Sequence, residues 1–131
     1  MVIIIDAANV IGSRPDGWWR DRAGAARRLY ESVANLAESC DSDEFFLVLE
    51  GQAKAAEAPD VPRLTVVRAP GSGDETIVNL VRSVPGDRIV VTADRELRGL
   101  CEAEGAIVHG PRWLAHQLSL RSLVLVPYAV R

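Results

Sequence analysis

The chain has 131 residues, close to the commonest length of one domain, and we predict a single domain over residues 1–131. Hydrophobic residues make up 48% of the sequence and charged residues 25%, which excludes a disordered or fibrous protein. The net charge of −3 excludes a uniformly basic nucleic-acid binder but leaves room for a local basic face.

The N-terminus and the cysteines indicate a protein of the cytoplasm. No apolar run reaches the roughly 18 residues of a membrane span, and the first residues lack the basic leader and cleavage site of a secretory signal. Cys40 and Cys101 lie far apart and have no paired-ligand spacing with either histidine. We predict two buried thiols, no zinc site or disulfide, and a cytoplasmic protein without a membrane partner.

The first half of the chain predicts three strands and one long helix. Val2 to Ile5 is a β-branched run, typical of a strand covered on both faces, and it leads into Asp6. From about residue 20 to residue 40, apolar residues recur at three- and four-residue spacing, which predicts an amphipathic helix. Phe45 to Leu49 and Leu64 to Val67 predict the second and third strands, joined by a poorly helical connection.

The second half alternates helices with strands. Glycines break the chain before Asp74, which lies in the first turn of a predicted helix. Arg88 to Thr92 predicts a fourth strand, and a helix that begins at Asp94 ends near residue 105. A short fifth strand follows, and Pro111 stands at a typical first helical position. Leu123 to Val126 fits either a further strand or a packed tail.

This alternation predicts an α/β fold with three layers. Right-handed crossovers between parallel strands place helices on both faces of the sheet, so we expect a mostly parallel central sheet of about five strands. Ligands of such sheets bind beyond the carboxyl ends of the strands.

Three acidic residues lie where that binding edge is expected. Asp6 follows the first strand, Asp94 lies two residues beyond the fourth, and Asp74 opens the helix that precedes the fourth. Carboxylates gathered together repel one another unless cations neutralise them. Their oxygens suit hard ions, so the pattern favours a site for Mg²⁺ or Mn²⁺.

A structural role competes with this interpretation. Aspartate is a common helix N-cap, and for Asp74 or Asp94 taken alone capping is the more frequent role. Capping does not readily account for Asp6, which ends a strand. The coincidence of three such acids favours a site.

The residues around these acids resemble a known family. Ile3 to Gly12 resembles the opening of NYN domains, the PIN-like ribonucleases whose first strand leads into an Asp and then an Asn three residues on. Gly73 to Ile77 looks like their middle acidic motif, and Val90 to Arg95 is similar to their third. The resemblance covers roughly Val2 to Leu118 and is closest to the bacterial subgroup of YacP-like proteins. It implies a three-layer, PIN-like (Rossmann-like) fold.

The resemblance also implies roles for individual residues. Asp6, Asp74 and Asp94 would bind Mg²⁺ or Mn²⁺, and Asn9 would orient substrate or water. Glu75 and Glu50 are weaker additions. The implied activity is a metal-dependent endoribonuclease that hydrolyses RNA phosphodiester bonds with one or two ions, in RNA processing or decay.

Basic and aromatic residues near the predicted site are candidates for binding the RNA strand. Arg20, Arg27 and Arg28 follow the first acid in sequence, and Arg95 directly follows the last. They fit a track for phosphates and, equally, a solvated helix face paired with nearby acids. Trp18 is a candidate for stacking on an unpaired base, although packing at a helix entry is the commoner role.

Two other functions stay open on the sequence. One is a toxin-type PIN nuclease controlled by a protein inhibitor. The other is a noncatalytic RNA-binding PIN-like module, against which the intact acidic residues argue. The expected partner is RNA, single-stranded or structured, with the ribosome or another protein as a further candidate. The sequence leaves the oligomeric state open between monomer and homodimer.

Overall fold

The computed structural model describes the backbone of residues 1–130 and the side chains of residues 1–120. Five strands form one parallel sheet, and helices cover both of its faces. The strands are β1 (Val2–Asp6), β2 (Glu44–Leu49), β3 (Leu64–Arg68), β4 (Arg88–Val91) and β5 (Ile107–His109). The helices are α1 (Ala7–Gly12), α2 (Arg22–Ser39), α3 (Gly73–Ser83), α4 (Arg95–Ala103) and α5 (Pro111–Val130). The predicted three-layer α/β architecture is confirmed.

The order of the strands in the sheet is β3-β2-β1-β4-β5. The chain first builds outward from β1 to β3 and then crosses back to place β4 on the other side of β1. The strand order therefore reverses between β1 and β4, and ligands of open α/β sheets bind at such a switch point. Asp6 pairs with Val48 of β2, whereas the pairing of β1 with β4 ends one residue earlier, at Ile5 and Val91.

The alternation of side chains along β1 divides the core into two layers. Ile3 and Ile5 pack in the layer that contains α1, α2 and the start of α5, while Ile4 packs with α3 and α4 on the other face. All three isoleucines are buried, as expected for the central strand of a parallel sheet. Because both faces are covered, the polar residues of the central strand can be reached only at its ends.

Two short 3₁₀ helices complete the description, at Trp18–Arg20 and at Gly51–Ala55. The second lies in the connection between β2 and β3, which runs from residue 50 to residue 63. The backbone of α5 continues to Val130, so Leu123 to Val126 belongs to a helix and not to a further strand. The side-chain packing of that segment lies outside the described side chains. None of the described helices is both long enough and apolar enough to cross a membrane.

Candidate active site

Asp6 lies at the carboxyl end of the central strand and is buried, with 5% of its surface exposed. Its Oδ2 accepts a hydrogen bond of 2.8 Å from the hydroxyl of Thr92, and its Oδ1 accepts a longer one, 3.4 Å, from the backbone N–H of Asn9. A buried carboxyl needs such donors because it has lost its contact with water. The bond from Asn9 makes Asp6 the N-cap of α1. Capping, which the sequence argument discounted at this position, is therefore one of its roles.

Thr92 connects Asp6 to Asp94. Its side chain is fully buried, and its hydroxyl donates to Asp6 while it accepts a bond of 3.1 Å from the backbone N–H of Asp94. A hydroxyl has one proton to give and lone pairs to receive, so both bonds form at once. The turn that follows β4 is thereby held at a set distance from the end of β1.

Asp94 is the N-cap of α4. Its Oδ1 accepts the backbone N–H groups of Glu96 at 2.9 Å and Leu97 at 3.2 Å. The capping interpretation therefore holds for this residue. Both bonds go to the same oxygen, and within the described residues Oδ2 accepts none. Capping by one oxygen and cation binding by the other are compatible.

Asp74 has no capping role. The N-cap of α3 is Ser72, whose hydroxyl accepts the backbone N–H of Asp74 at 3.2 Å. In the described part of the chain the carboxyl group of Asp74 takes part in no hydrogen bond and no ion pair. Its position at the start of α3 is the one that the sequence predicted, and the first turn is where the helix dipole favours a negative charge.

Glu50 joins the acids from the end of β2. Its Oε2 accepts the backbone N–H of Gly73 at 3.1 Å, which places a carboxylate at the first residue of α3. A Cβ atom on Gly73 would lie 3.1 Å from Oε1 of Glu50, so the absence of a side chain allows this close approach. Glu50 was only a weaker candidate on the sequence, and the structure places it beside Asp74.

Burial and neighbouring carboxylates raise the pKa values of Asp6 and Asp74. Burial, the largest cause, raises the pKa of Asp6 to about 6; the bonds from Thr92 and Asn9 oppose the rise, and the charges of Asp74 and Glu50 add to it. The pKa of Asp74 is raised by partial burial and then by the charges of Asp94, Glu50 and Glu96. Among the described residues no arginine or lysine forms an ion pair with any of them. The site therefore holds negative charge that protein cations do not offset.

The donor set fits a hard divalent cation, because carboxylate oxygens are the ligands that Mg²⁺ and Mn²⁺ prefer. The geometry is open, however: within the described residues no three acidic, histidine or cysteine side chains converge closely enough to enclose an ion. The acids affect one another through their charges, and their carboxyl groups do not surround one common point in the described structure. An ion held here would take part of its shell from water and substrate phosphate, as Mg²⁺ commonly does.

Two further predicted site residues take different positions. Asn9 lies beside the site, and its amide oxygen accepts the backbone N–H of Ala93 at 2.8 Å, so the side chain holds the turn between β4 and α4. Glu75 is exposed in the first turn of α3. It is not among the charges that raise the pKa of Asp74, whereas Glu50 and Glu96 are.

The predicted phosphate-binding arginines fall into two groups. Arg27 forms an ion pair of 2.9 Å with Glu31, donates to the backbone carbonyl of Glu57, and lies 5.2 Å from the ring of Tyr30. Arg28 lies 3.9 Å from Asp16. These contacts are those of the helix-face interpretation. Arg20 and Arg95 are exposed and form no ion pair within the described residues, and Arg95 is the first residue of α4.

Two residues that the sequence argument did not single out belong to the site. Thr92 fixes two of the acids, and Glu96 adds its charge near Asp74. The available signal was position: a threonine at the end of a buried strand, two residues before an aspartate that opens a helix. Both cysteines are buried as predicted, and burial raises the pKa of the Cys101 thiol to about 11, which keeps it protonated.

The fold matches that of solved structures of Rae1 (YacP) from Bacillus subtilis. One of them has a TM-score of 0.79 at 16% sequence identity and covers 98% of this chain and 79% of its own. A tryptophan-to-leucine mutant of Rae1 has a TM-score of 0.72 at 18% identity and covers 91% of this chain and 75% of its own. The chain therefore has the YacP fold. The PIN-like fold that the sequence resemblance implied is confirmed. The sequence matches no family model and no curated protein.

Proposed function

We propose that this protein is a metal-dependent endoribonuclease that hydrolyses RNA phosphodiester bonds at the site of Asp6, Asp74 and Asp94. The observation that carries the proposal is the group of acids at the switch point of a PIN-like fold, where burial and neighbouring carboxylates raise the pKa values of Asp6 and Asp74. Two of the acids also cap helices, whereas Asp74 caps none and interacts locally only with the dipole of α3 in the described structure. A site that binds Mg²⁺ or Mn²⁺ explains all of them.

The proposed chemistry divides between the ion and the chain. A bound Mg²⁺ or Mn²⁺ supplies charge neutralisation at the phosphate and activation of a water for in-line attack. Asp6 is held rigidly by Thr92, so its oxygens offer a fixed anchor at the end of β1. The Oδ2 of Asp94 and the carboxyl group of Asp74 are not committed to hydrogen bonds in the described structure, so both are able to turn toward the ion. Asn9 keeps the turn after β4 in place while they do so.

RNA is proposed as the substrate on the strength of the resemblance to NYN domains. Exposed Arg95, adjacent to Asp94, has a position from which it can contact a phosphate next to the site. The net charge of −3 means that such contacts must be local, because a negatively charged protein does not attract the strand over its whole surface.

A noncatalytic RNA-binding module is the competing function. It is favoured by one observation, namely that no three acidic side chains in the described residues converge to enclose an ion. Its weakness is that it leaves the uncompensated charge of Asp74 without a purpose.

The test is cleavage of circular and linear single-stranded RNA by the purified protein with Mn²⁺, with Mg²⁺ and with EDTA. An endonuclease opens the circle, and chelation of the ion stops it. A matched DNA oligonucleotide tests the choice of RNA. Binding of RNA without cleavage at any concentration of either ion would support the noncatalytic module instead.

A further inference from the structure

A cavity of about 300 Å³ opens beside the acidic site, between the first loop and the end of β2. Glu50 forms part of its wall and is also one of the charges that raise the pKa of Asp6 and Asp74. The cavity and the acids are therefore neighbours that share a side chain. The lining residues are Ala8, Ile11, Trp18, Arg22, Glu50, Gly51, Gln52 and Ala53.

Trp18 supplies the aromatic surface of this cavity. The indole is half-buried and packs against the core, and the ring of Trp19 meets it edge-on with 6.0 Å between the centroids. The guanidinium group of Arg22 lies 5.3 Å from the centroid of Trp18. Packing against the core restrains the ring, and a restrained ring loses little entropy when a ligand stacks on it.

The other lining groups complete a chemistry that suits a nucleobase. Gln52 carries an amide that both donates and accepts hydrogen bonds, and Arg22 carries a planar cation. Alanine and isoleucine side chains supply the apolar part of the wall. The volume lies at the low end of ligand sites, which fits one base and not a longer segment of strand.

We propose that this cavity, here called the base pocket, receives one unpaired base of the RNA strand next to the phosphodiester at the acidic site. The inference rests on the proposed function and deepens it, because it makes single-stranded RNA the preferred substrate. A base in a duplex is stacked and paired, and it would have to leave the helix to reach Trp18. The guanidinium group of Arg22 lies over the ring on an exposed side chain, so an entering base would displace it. The displaced cation would then contact the π-face of the base or the adjoining phosphate.

The test measures binding rather than cleavage, so that it is independent of the nuclease proposal. The probe is a short unstructured RNA oligonucleotide, together with a series in which one nucleotide at a time is abasic. Affinities are measured with EDTA and again with Ca²⁺ for wild type, Trp18→Ala, Trp18→Phe and Trp19→Ala. Trp19 is the matched control, because it is the adjacent tryptophan, is 55% exposed, and does not line the cavity.

In the wild type and in Trp19→Ala, we expect one abasic position to weaken binding by about tenfold to a hundredfold, as loss of one base–aromatic stack does. In Trp18→Ala the affinity for intact RNA should already be reduced by a similar factor. The abasic series should be flat, which means that no single abasic position weakens binding further. In Trp18→Phe the affinity should again depend on which nucleotide is abasic, nearly as in the wild type. With duplex RNA the affinity should not depend on the abasic position. Circular dichroism of each variant separates loss of the pocket from loss of the fold.

Three outcomes overturn the base pocket: no RNA binding in either buffer, a flat abasic series in the wild type, or an unchanged series in folded Trp18→Ala. A protein that cleaves RNA but has a flat series retains the nuclease proposal and loses the base pocket. A protein with a Trp18-dependent series that never cleaves RNA retains the pocket and loses the nuclease.

Discussion

The hydroxyl of Thr92 donates a hydrogen bond of 2.8 Å to Oδ2 of Asp6 across the switch point of the sheet. The two residues are far apart in sequence and belong to the ends of neighbouring strands. The same hydroxyl accepts the backbone N–H of Asp94, so one buried side chain fixes two of the acids proposed to bind the ion.

Thr92→Val should damage activity more than stability. Valine keeps the shape but leaves an oxygen of Asp6 and the N–H of Asp94 without this partner, at a cost of about 1–3 kcal/mol in the free energy of unfolding. The pKa of Asp6 should rise further, because the Thr92 bond now lowers it. Thr92→Ser keeps the hydroxyl and serves as the control. The free energy of unfolding in denaturant and the rate of Mn²⁺-dependent RNA cleavage are measured for both variants. Equal cleavage by the two variants would contradict the role assigned to Thr92.

The stability of the metal-free protein should depend on the protonation of Asp6. Its pKa is raised from 3.8 to about 6 by burial, so the folded state binds this proton more tightly than the unfolded state does. Stability from this group therefore increases as the pH falls through about 6, by about 1 kcal/mol between pH 7 and pH 5. The measurement is the free energy of unfolding in EDTA, compared between wild type and Asp6→Asn. The same pH profile in both proteins over this range would contradict the assignment.

Ion binding should compete with that proton. A carboxylate must be ionised to bind a cation, so the apparent affinity for Mn²⁺ should increase as the pH rises through about 6 and then level off. Titration calorimetry in buffers with different heats of ionisation measures the released proton. Affinity that does not change between about pH 5 and pH 7 would show that Asp6 is not a ligand.

The two glutamates near Asp74 should differ in their effects. Glu50→Gln removes a charge that raises the pKa of both Asp6 and Asp74, and Glu75→Gln removes an exposed charge outside that group. We expect the larger loss of cleavage and the weaker binding of Mn²⁺ in Glu50→Gln. Gly73→Ala should act in the same direction, because its Cβ would press on the Glu50 carboxyl at 3.1 Å. Equal losses in the two glutamine variants would favour the sequence-based ranking instead.

The arginines should separate into binding and structural residues. Arg95→Ala and Arg20→Ala should weaken RNA binding for all sequences and lower its salt dependence, because phosphate contacts release counterions. Arg27→Ala should change RNA binding little and reduce stability by up to about 1 kcal/mol, since it loses an exposed ion pair and a hydrogen bond to the backbone carbonyl of Glu57. Binding isotherms at several salt concentrations give the dependence of RNA affinity on salt for each variant. An unchanged dependence in the Arg20 and Arg95 variants would show that these residues do not contact RNA phosphates.

The sequence predicted the fold well because its signals were local. β-branched runs such as Val2 to Ile5 are typical of strands covered on both faces, as in a parallel sheet, and glycines and prolines mark the ends of most helices. The boundary of α5 was harder to predict, because its C-terminal part contains a continuous apolar run that lacks a helical period. There the pattern of Leu123 to Val126 did not distinguish a strand from a helix.

The site was only partly predictable because it depends on distances between segments remote in sequence. Position along the chain placed Asp6, Asp74 and Asp94 at one edge of the sheet, and it did not show that Thr92 joins two of them. The contacts of Arg27 with Glu31 and Glu57 likewise depend on how α2 packs on the segment after β2. Charge clusters read from a sequence do not distinguish an RNA track from a helix face held by such contacts.

The most direct test of the central claim compares Asp74→Asn with wild type and with Asp87→Asn. Asp74 is the best target because it carries no capping bond, whereas Asp94 caps α4 with its Oδ1. Asp87 is an exposed aspartate just before β4, at the opposite edge of the sheet, and controls for the change of charge.

The measurement is the rate of Mn²⁺-dependent cleavage of single-stranded RNA, read beside thermal melts of the same preparations in EDTA. We predict that Asp74→Asn cleaves RNA at least about a hundredfold more slowly, as loss of a metal-binding group does. Its melting temperature should be equal to that of the wild type or higher, because the repulsion between the neighbouring carboxylates is relieved. Asp87→Asn should match wild type in rate. A folded Asp74→Asn that cleaves RNA at the wild-type rate, or wild-type cleavage that continues in EDTA, would contradict the account.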